Sequence, residues 1–415
     1  MLSYIFGRVA GPPAYQGIPL EPVPVHNIAS MPDKRSRTLK HLLRANHVNN
    51  AILYHSLRYH NHLPHILASA YLLGASVPQL HAIYDEEAKE LEPWADSPEE
   101  ITEDDWRDFL SNRTYQRAYI DFFEDQLATR KANYEWEKVV HDFMFTPLDG
   151  GAPLINNVIA GLGHPLIHLG YAYEIDSKEL AIEAMAMTAT QYNFMHKYLD
   201  DPGYSRPPAK GAFASTSPRE ILDRIRADDR FDGLFDGQGG SDNIEKLFEK
   251  HQDLVLEYWN AWCIGEDPVQ RFRESQEAAA ALLVATVPPG THSYSFLMVH
   301  LLTTSHAVRV LLPVIPTAFH VSLVRQWWLL TLSVYIAELR PTIDEDYVPW
   351  PEGSATKSWA YVENKALNSR WATDAHFVKA VRALREAANT WGDVHERYLA
   401  SAVRLVDDFA GWTFA

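Results

Sequence analysis

The sequence predicts an all-α fold: a single large helical domain with an extended N-terminal arm and a loop-rich middle segment. Apolar residues recur at three- and four-residue intervals along most of the chain, and no run alternates with period two. Of the 415 residues, 47% are hydrophobic and 12% aromatic, enough to bury one large core.

Residues 1–35 contain GPPAYQGIPLEPVPV, rich in Pro and Gly and without periodicity, and read as an arm lying on a body formed by residues 36–415. Helical spacing follows in RTLKHLLRANHVNNAILYHSL, VPQLHAIYDEEAKEL, RTYQRAYIDFFEDQLATRKANYEWEKVVHDFM, SKELAIEAMAMTATQYNFMHKYL, NIEKLFEKHQDLVLEYWNAW and DVHERYLASAVRLVDDF. Thr102 with Asp105 resembles a capping box, and Ser217 before Pro218 gives an N-cap with proline at the first helical position. Asp200–Thr216 and Asp228–Ser241, dense in Gly, Pro and Asp, are predicted loops and candidates for a lid. The most apolar region, Tyr294–Leu339, is interrupted by His300, His306, Arg309, Pro313, Pro316, His320 and Arg325. Its longest clean run, Trp327–Ala337, is too short for a bilayer, so it reads as buried helix. In DAHFVKAVRAL, Asp374 is the cap, Phe377, Val381, Leu384 and the following Ala388 mark the buried face, and Arg382, Arg385 and Glu386 the wet one. His376 then falls on the apolar side, with Lys379 at its edge.

A net charge of -17 argues against nucleic acid or an anionic membrane as partner, because both need clustered Lys and Arg. A small-molecule substrate is expected. The single cysteine, Cys263, excludes a disulfide framework and cysteine-based zinc or iron–sulfur sites, and fits a reducing compartment. With no basic leader before a long apolar run, the expected location is cytoplasmic.

Several chemistries lack their motifs. GQGG at 237–240 follows an acidic loop rather than a strand, so it is not a dinucleotide or phosphate loop, and there is no GxSxG elbow. DDWRD offers Asp104, Asp105 and Asp108 at the spacing of the Mg²⁺ motif of helical terpene synthases. The second metal motif of those enzymes has no counterpart, and a capped, solvated helix start explains the acids more simply. No Glu-x-x-His pairs occur on two helices, which disfavours a di-iron carboxylate site.

The nineteen histidines are more informative. HNHLPH puts His62 and His65 one turn apart, HPLIH puts His164 and His168 at i and i+4, HSYSFLMVHLLTTSHAVR carries His292, His300 and His306, and DAHFVK carries His376. One histidine on an apolar face is most simply a hydrogen-bonded core residue. Histidine repeated in that context on separate helices strengthens the case for a metal without displacing the core reading, and imidazole nitrogen would suit iron, copper or zinc.

Together HNHLPHILASAYLLGA, HPLIHLGYAYE, FLMVHLLTTSHAVRVLLP and DAHFVKAVRAL, in this order between about residues 45 and 410, resemble the questin oxidase-like proteins of fungal polyketide pathways. The resemblance implies ring opening of an anthraquinone to a benzophenone-type product, a Baeyer–Villiger-type reaction formally using NADPH. Some members look like non-haem iron oxygenases whose metal is held by four histidines and a carboxylated lysine. Carried over by motif, the metal ligands fall on His62, His164, His300, His376 and Lys379. His65, His168 and His306 are assigned to catalytic positions around the substrate, and His292 is able to exchange with one of them.

The implied cofactors are Fe²⁺ and O₂ as co-substrate. NADPH has no binding motif in this chain, so its electrons would come through a separate reductase or a substrate already reduced to the hydroquinone. The implied partner is a small aromatic polyketide, with Phe296, Trp327, Trp350 and Trp359 as candidate stacking surfaces. A metal-independent Baeyer–Villiger oxidase using histidine acid–base chemistry is the alternative enzyme, and a non-catalytic binding protein for pathway intermediates the alternative of another class.

An ammonium beside Fe²⁺ is repelled and offers only donors, whereas a neutral lysine that takes up CO₂ becomes an anionic oxygen ligand. At about 100° per residue, Lys379 lies about 60° round the helix from His376 and one turn along, so both can meet one metal.

Overall fold

The computed structural model describes residues 17–129, 132–147, 151–265, 267–348, 357–393 and 395–413. Residues 1–16 of the expected arm, and Trp350, lie outside the described residues. Helices dominate as predicted. They are α1 (Lys34–Asn49), α2 (Leu63–Leu72), α3 (Val77–Glu87), α4 (Gln116–Ala128), α5 (Trp136–Val140), α6 (Ala160–Ile175), α7 (Lys178–Thr190) and α8 (Lys197–Asp200). The second half adds α9 (Pro218–Ala227), α10 (Asp242–Ala261), α11 (Pro268–Val284), α12 (Met298–Leu311), α13 (His320–Ala337), α14 (Trp359–Asn368), α15 (Ala375–Trp391) and α16 (Arg397–Asp408).

Four of these make a closed ring: α2 packs on α6, α6 on α12, α12 on α15, and α15 back on α2. The ring is sheathed by α7 against α6, α11 and α13 against α12, and α16 against α15. The inner helices are buried almost all round, which explains why α6 and α12 read as nearly continuous apolar sequence. Each fully buried Leu or Phe of this core contributes about 1.5–3 kcal/mol. No helix of the described residues is long and apolar enough to cross a membrane.

The arm lies on the body where described. Ile18 is fully buried and its N–H donates to His320 Nδ1 at 3.0 Å, and His26 N–H donates to the Glu174 carbonyl at 2.8 Å. Ser217 and Asp374 cap α9 and α15 as expected, the Asp374 carboxylate accepting Phe377 N–H at 2.8 Å. Asp105 Oδ1 accepts both the N–H and the hydroxyl of Thr102, but the pair closes a run of turns rather than an α-helix. Two tiny strand pairs escaped the sequence reading because two residues cannot show alternation. They are β1 (Leu53–Tyr54) against β2 (Tyr59–His60), antiparallel, and β3 (Tyr294–Ser295) against β4 (Trp412–Thr413), parallel.

The two candidate lid loops are pinned to the body by hydrogen bonds and ion pairs. Asn260 accepts Arg206 N–H, the Ser215 carbonyl accepts Cys263 N–H, and Arg230 pairs with Asp228 and Glu257. The predicted wet face of α15 needs correction. Arg382 and Glu386 are buried, because the Arg382 guanidinium pairs with Glu174 of α6 and with Glu386 one turn on. A charge paired across helices can be buried where a lone one cannot.

Candidate metal centre

The site begins with a local backbone problem. In GLGHPLIH, Gly161, Leu162 and Gly163 all adopt positive φ, at 55°, 57° and 80°. This left-handed turn breaks the first turn of α6, and the right-handed helix resumes at His164 with Pro165 at its start. A Cβ on Gly163 would lie 2.3 Å from Thr304 Cγ2, so only glycine lets α6 meet α12 here. The turn presents the Gly161 carbonyl to His164, whose Nδ1–H donates to it at 2.5 Å. That bond fixes the tautomer and leaves Nε2 as a bare lone pair.

The other three histidines occupy equivalent places. His62 is the N-cap of α2, His300 the third residue of α12, and His376 the second residue of α15. His300 Nδ1–H donates to the Phe296 carbonyl at 2.8 Å, which again leaves Nε2 free. One ligand atom from each of His62, His164, His300 and His376 falls within 4.8 Å of all the others. With metal–nitrogen bonds of about 2.1 Å, adjacent ligands in an octahedron stand about 3.0 Å apart and opposite ones about 4.2 Å. The spread of up to 4.8 Å is close to that of a coordination sphere, and a bound ion would draw the nitrogens in by a few tenths of an ångström.

Lys379, predicted at the helix edge, is fully buried. His376 and Lys379 do share a face, because α15 packs that edge against α2 and α12. The Lys379 Nζ and the Nε2 atoms of His300 and His376 have no hydrogen-bond partner. An orphaned buried polar atom costs about 1–3 kcal/mol, so three from this group are a structural debt that a shared ligand would relieve.

The electrostatics run the same way. Burial pushes His62, His164 and His376 well below the usual imidazole range, and His300 down to about 3. The imidazoles are therefore neutral, the form that ligates a metal. Burial also brings Lys379 down to about 7, opposed by Asp374 and Glu87. A free amine is then accessible near neutrality.

Of the residues assigned to catalysis, two stand directly behind this centre. The His65 ring lies 5.8 Å from that of His62 and 6.1 Å from that of His164. His65 Nε2 and His168 Nδ1 are 2.5 Å apart, and His168 Nε2–H donates to Glu183 Oε2 at 2.9 Å. His306 belongs elsewhere: its neighbours are Tyr171 and Glu174, with Nε2 3.4 Å from Glu174 Oε2. His292 is exposed and paired with Asp408, so it does not exchange with the cluster.

The stacking candidates separate too. Phe296 lies over His376, ring centroids 4.5 Å apart. Trp327 is sealed in the core, its Nε1–H shared between the Leu301 carbonyl and Thr304. Trp359 lies under the Arg385 guanidinium. Asp104 and Asp108 are exposed and Asp105 is engaged by Thr102, so the terpene-synthase reading finds no support. A cavity of about 540 Å³ between α9, α11 and α16 has none of these histidines or acids in its lining.

The sequence reading missed His60, which stacks on His164 with centroids 3.9 Å apart and planes at 6°. Burial pushes His60 down to about 3. It also missed Glu183, the lone acid in the apolar run LAIEAMAM, and that isolation was the available signal.

The family model for questin oxidase-like proteins matches residues 59–384, an interval holding all four clustered histidines and Lys379. A protein named Baeyer-Villiger oxidase mdpL from Emericella nidulans is 24% identical, over 89% of this chain and 85% of its own length. Oxidoreductase AflY from Aspergillus parasiticus is 25% identical over 82% and 71%. A questin oxidase from Aspergillus fumigatus is 23% identical over 49% and 48%.

Proposed function

Because the chain belongs to the questin oxidase-like family and is an oxidoreductase, we propose that it is a non-haem iron oxygenase that opens the quinone ring of an anthraquinone-type polyketide to a benzophenone-type product. The observation that carries the reading is the clustering of four neutral imidazoles, with a buried, unpartnered lysine close enough for its charge to act on each of them. In it, His62, His164, His300 and His376 hold Fe²⁺, and Lys379 completes the set as a carbamate. Four imidazoles, Fe²⁺ and a carbamate sum to about +1, against about +3 with an ammonium, which a low-dielectric core tolerates far less. Bound there, iron supplies the electrons that O₂ needs to react with a closed-shell aromatic ring.

The chain's own residues do the remaining work. Phe296, whose ring packs 4.5 Å from that of His376, is the aromatic side chain nearest at hand for contact with a flat substrate. His65, whose ring lies 5.8 Å from that of His62, keeps a bare, unpartnered Nδ1 suited to take a phenolic proton. Burial excludes bulk water from the reacting ring.

A second reading is favoured by the relatives' names: a metal-independent Baeyer–Villiger oxidase fed by NADPH, in which the histidines act only as acids and bases. Iron decides between them. Anaerobically purified protein is expected to carry about one iron per chain, to lose it in folded His164→Ala and Lys379→Ala variants, and to show a carbamate mass on Lys379. Full cleavage of an anthraquinone by chelator-treated, iron-free enzyme sinks the iron reading.

A further inference from the structure

Behind the metal centre lies a line of buried side chains that metal binding does not require. His65 Nε2 meets His168 Nδ1 at 2.5 Å, and His168 Nε2 meets Glu183 Oε2 at 2.9 Å. The other oxygen of Glu183 meets His47 Nδ1 at 2.8 Å, and His47 Nε2 meets Glu124 Oε1 at 3.2 Å. Glu124 is half exposed, and with His47 it lines a small cavity of about 190 Å³. Every interior member has two atoms that exchange protons, two nitrogens on each ring and two oxygens on the carboxylate. The line is unbroken from His65 Nδ1 to the surface.

The resting protons follow from the partners. His47 sits between two carboxylates; burial lowers it, but the hydrogen bonds to Glu124 and Glu183 outweigh this and raise it to about 10, so both its nitrogens donate. Glu183 is then a carboxylate receiving His168 Nε2–H, and His168 Nδ1 accepts from His65 Nε2–H. His65 Nδ1 is left bare, buried and without a partner. A carboxylate that merely oriented His168 would end the chain. Here a second buried histidine carries it outward.

We propose that His65, His168, Glu183, His47 and Glu124 form a proton relay that carries a proton from a phenolic group at the metal centre to the surface. A proton arrives on His65 Nδ1, and the Nε2 proton passes to His168 Nδ1. The His168 Nε2 proton passes to Glu183 Oε2 and neutralises it, and His47 releases its Nε2 proton to Glu124 or water. One proton enters, one leaves, and nothing is oxidised or reduced. Only the source of the proton rests on the anthraquinone reading.

The test follows exchange of the buried His168 Nε2–H with solvent, by NMR of the full-length ¹⁵N-histidine-labelled protein with zinc added to keep it diamagnetic. In folded His47→Phe, which closes the outer end, and Glu183→Gln, which breaks the middle, the relay predicts exchange at least tenfold slower than wild type. Unchanged or faster exchange in either overturns the relay, since losing a mere buttress opens the core and speeds exchange. If Glu183→Gln does not fold, His47→Phe decides alone. In parallel, 1,8-dihydroxyanthraquinone is mixed with wild type and His47→Phe, and appearance of its phenolate absorbance is expected to slow tenfold in the variant. Equal rates in the two overturn the outward direction. Slowed exchange with no phenolate in the wild type supports the relay and removes the anthraquinone reading.

Discussion

His62 Nε2 stands 2.8 Å from His164 Nε2, and the His164 nitrogen is bare because its Nδ1–H is committed to the Gly161 carbonyl. Two neutral imidazoles can share one proton across such a gap, or both can turn lone pairs on a cation between them. The second arrangement extends to His300 and His376; the first does not. Replacing His62 or His164 by alanine should lower affinity for Zn²⁺ or Co²⁺ at least a hundredfold in chelator competition. His60→Phe, which preserves the stack on His164, should change it only a few-fold.

Gly163 is the position where the backbone turn and helix contact meet. Gly163→Ala places a Cβ at φ of +80° and against Thr304, so it should destabilise the fold by about 2 kcal/mol or more. It should also weaken metal binding by displacing His164. Urea denaturation and metal titration read the two effects, and intact metal affinity would separate the turn from the site.

Lys379 gives the metal-free protein a distinctive pH dependence. Its folded pKa of about 7 lies below the usual lysine value of 10.5, so between those values the unfolded chain binds more protons and stability rises with pH. Below about pH 7 both states are protonated and the penalty is complete. Lys379→Met should therefore stabilise metal-free protein at pH 6 by about 5 kcal/mol, and by much less at pH 10. Equal gains at the two pH values would show that Lys379 does not pay a charge-burial cost.

The Glu174–Arg382–Glu386 group is structural. Burial opposes ionisation of Glu174, but Arg382 and then His306 hold its carboxyl down at about 2. Its contribution is present above the unfolded carboxylate range and is lost as pH falls through about 2. Glu174→Ala leaves Arg382 buried with only Glu386 and should cost about 3–5 kcal/mol in urea unfolding.

Phe296 and Trp327 look alike in sequence, as aromatics near a histidine motif. Phe296→Ala should raise KM for an anthraquinone about tenfold with little loss of stability. Trp327→Phe, which removes the indole N–H bonds to Leu301 and Thr304, should lower Tm and leave KM unchanged.

What the sequence disclosed depended on range. Helices such as α15 were legible because capping and apolar spacing are local, and the i, i+3 placement of His376 and Lys379 follows from helix geometry alone. Lys379 looked like an edge residue because nothing local shows that α2 and α12 close over that edge. Arg382 and Glu386 looked wet for the same reason: their partner Glu174 lies on another helix. His306 and His292 shared a motif with His300, but only the fold tells which of three neighbours turns inward.

All four clustered histidines sit in the first turn, or at the cap, of their helices. Each helix N-terminus behaves as about half a positive charge, so four of them fix about two positive charges in the backbone around the site. No side-chain substitution removes that field. In the proposed site that field would favour an ionised phenol or a carboxylated lysine, while the chain's net charge of -17 repels anions from the rest of the surface. The fold thereby gathers negative charge at one interior point of an acidic protein.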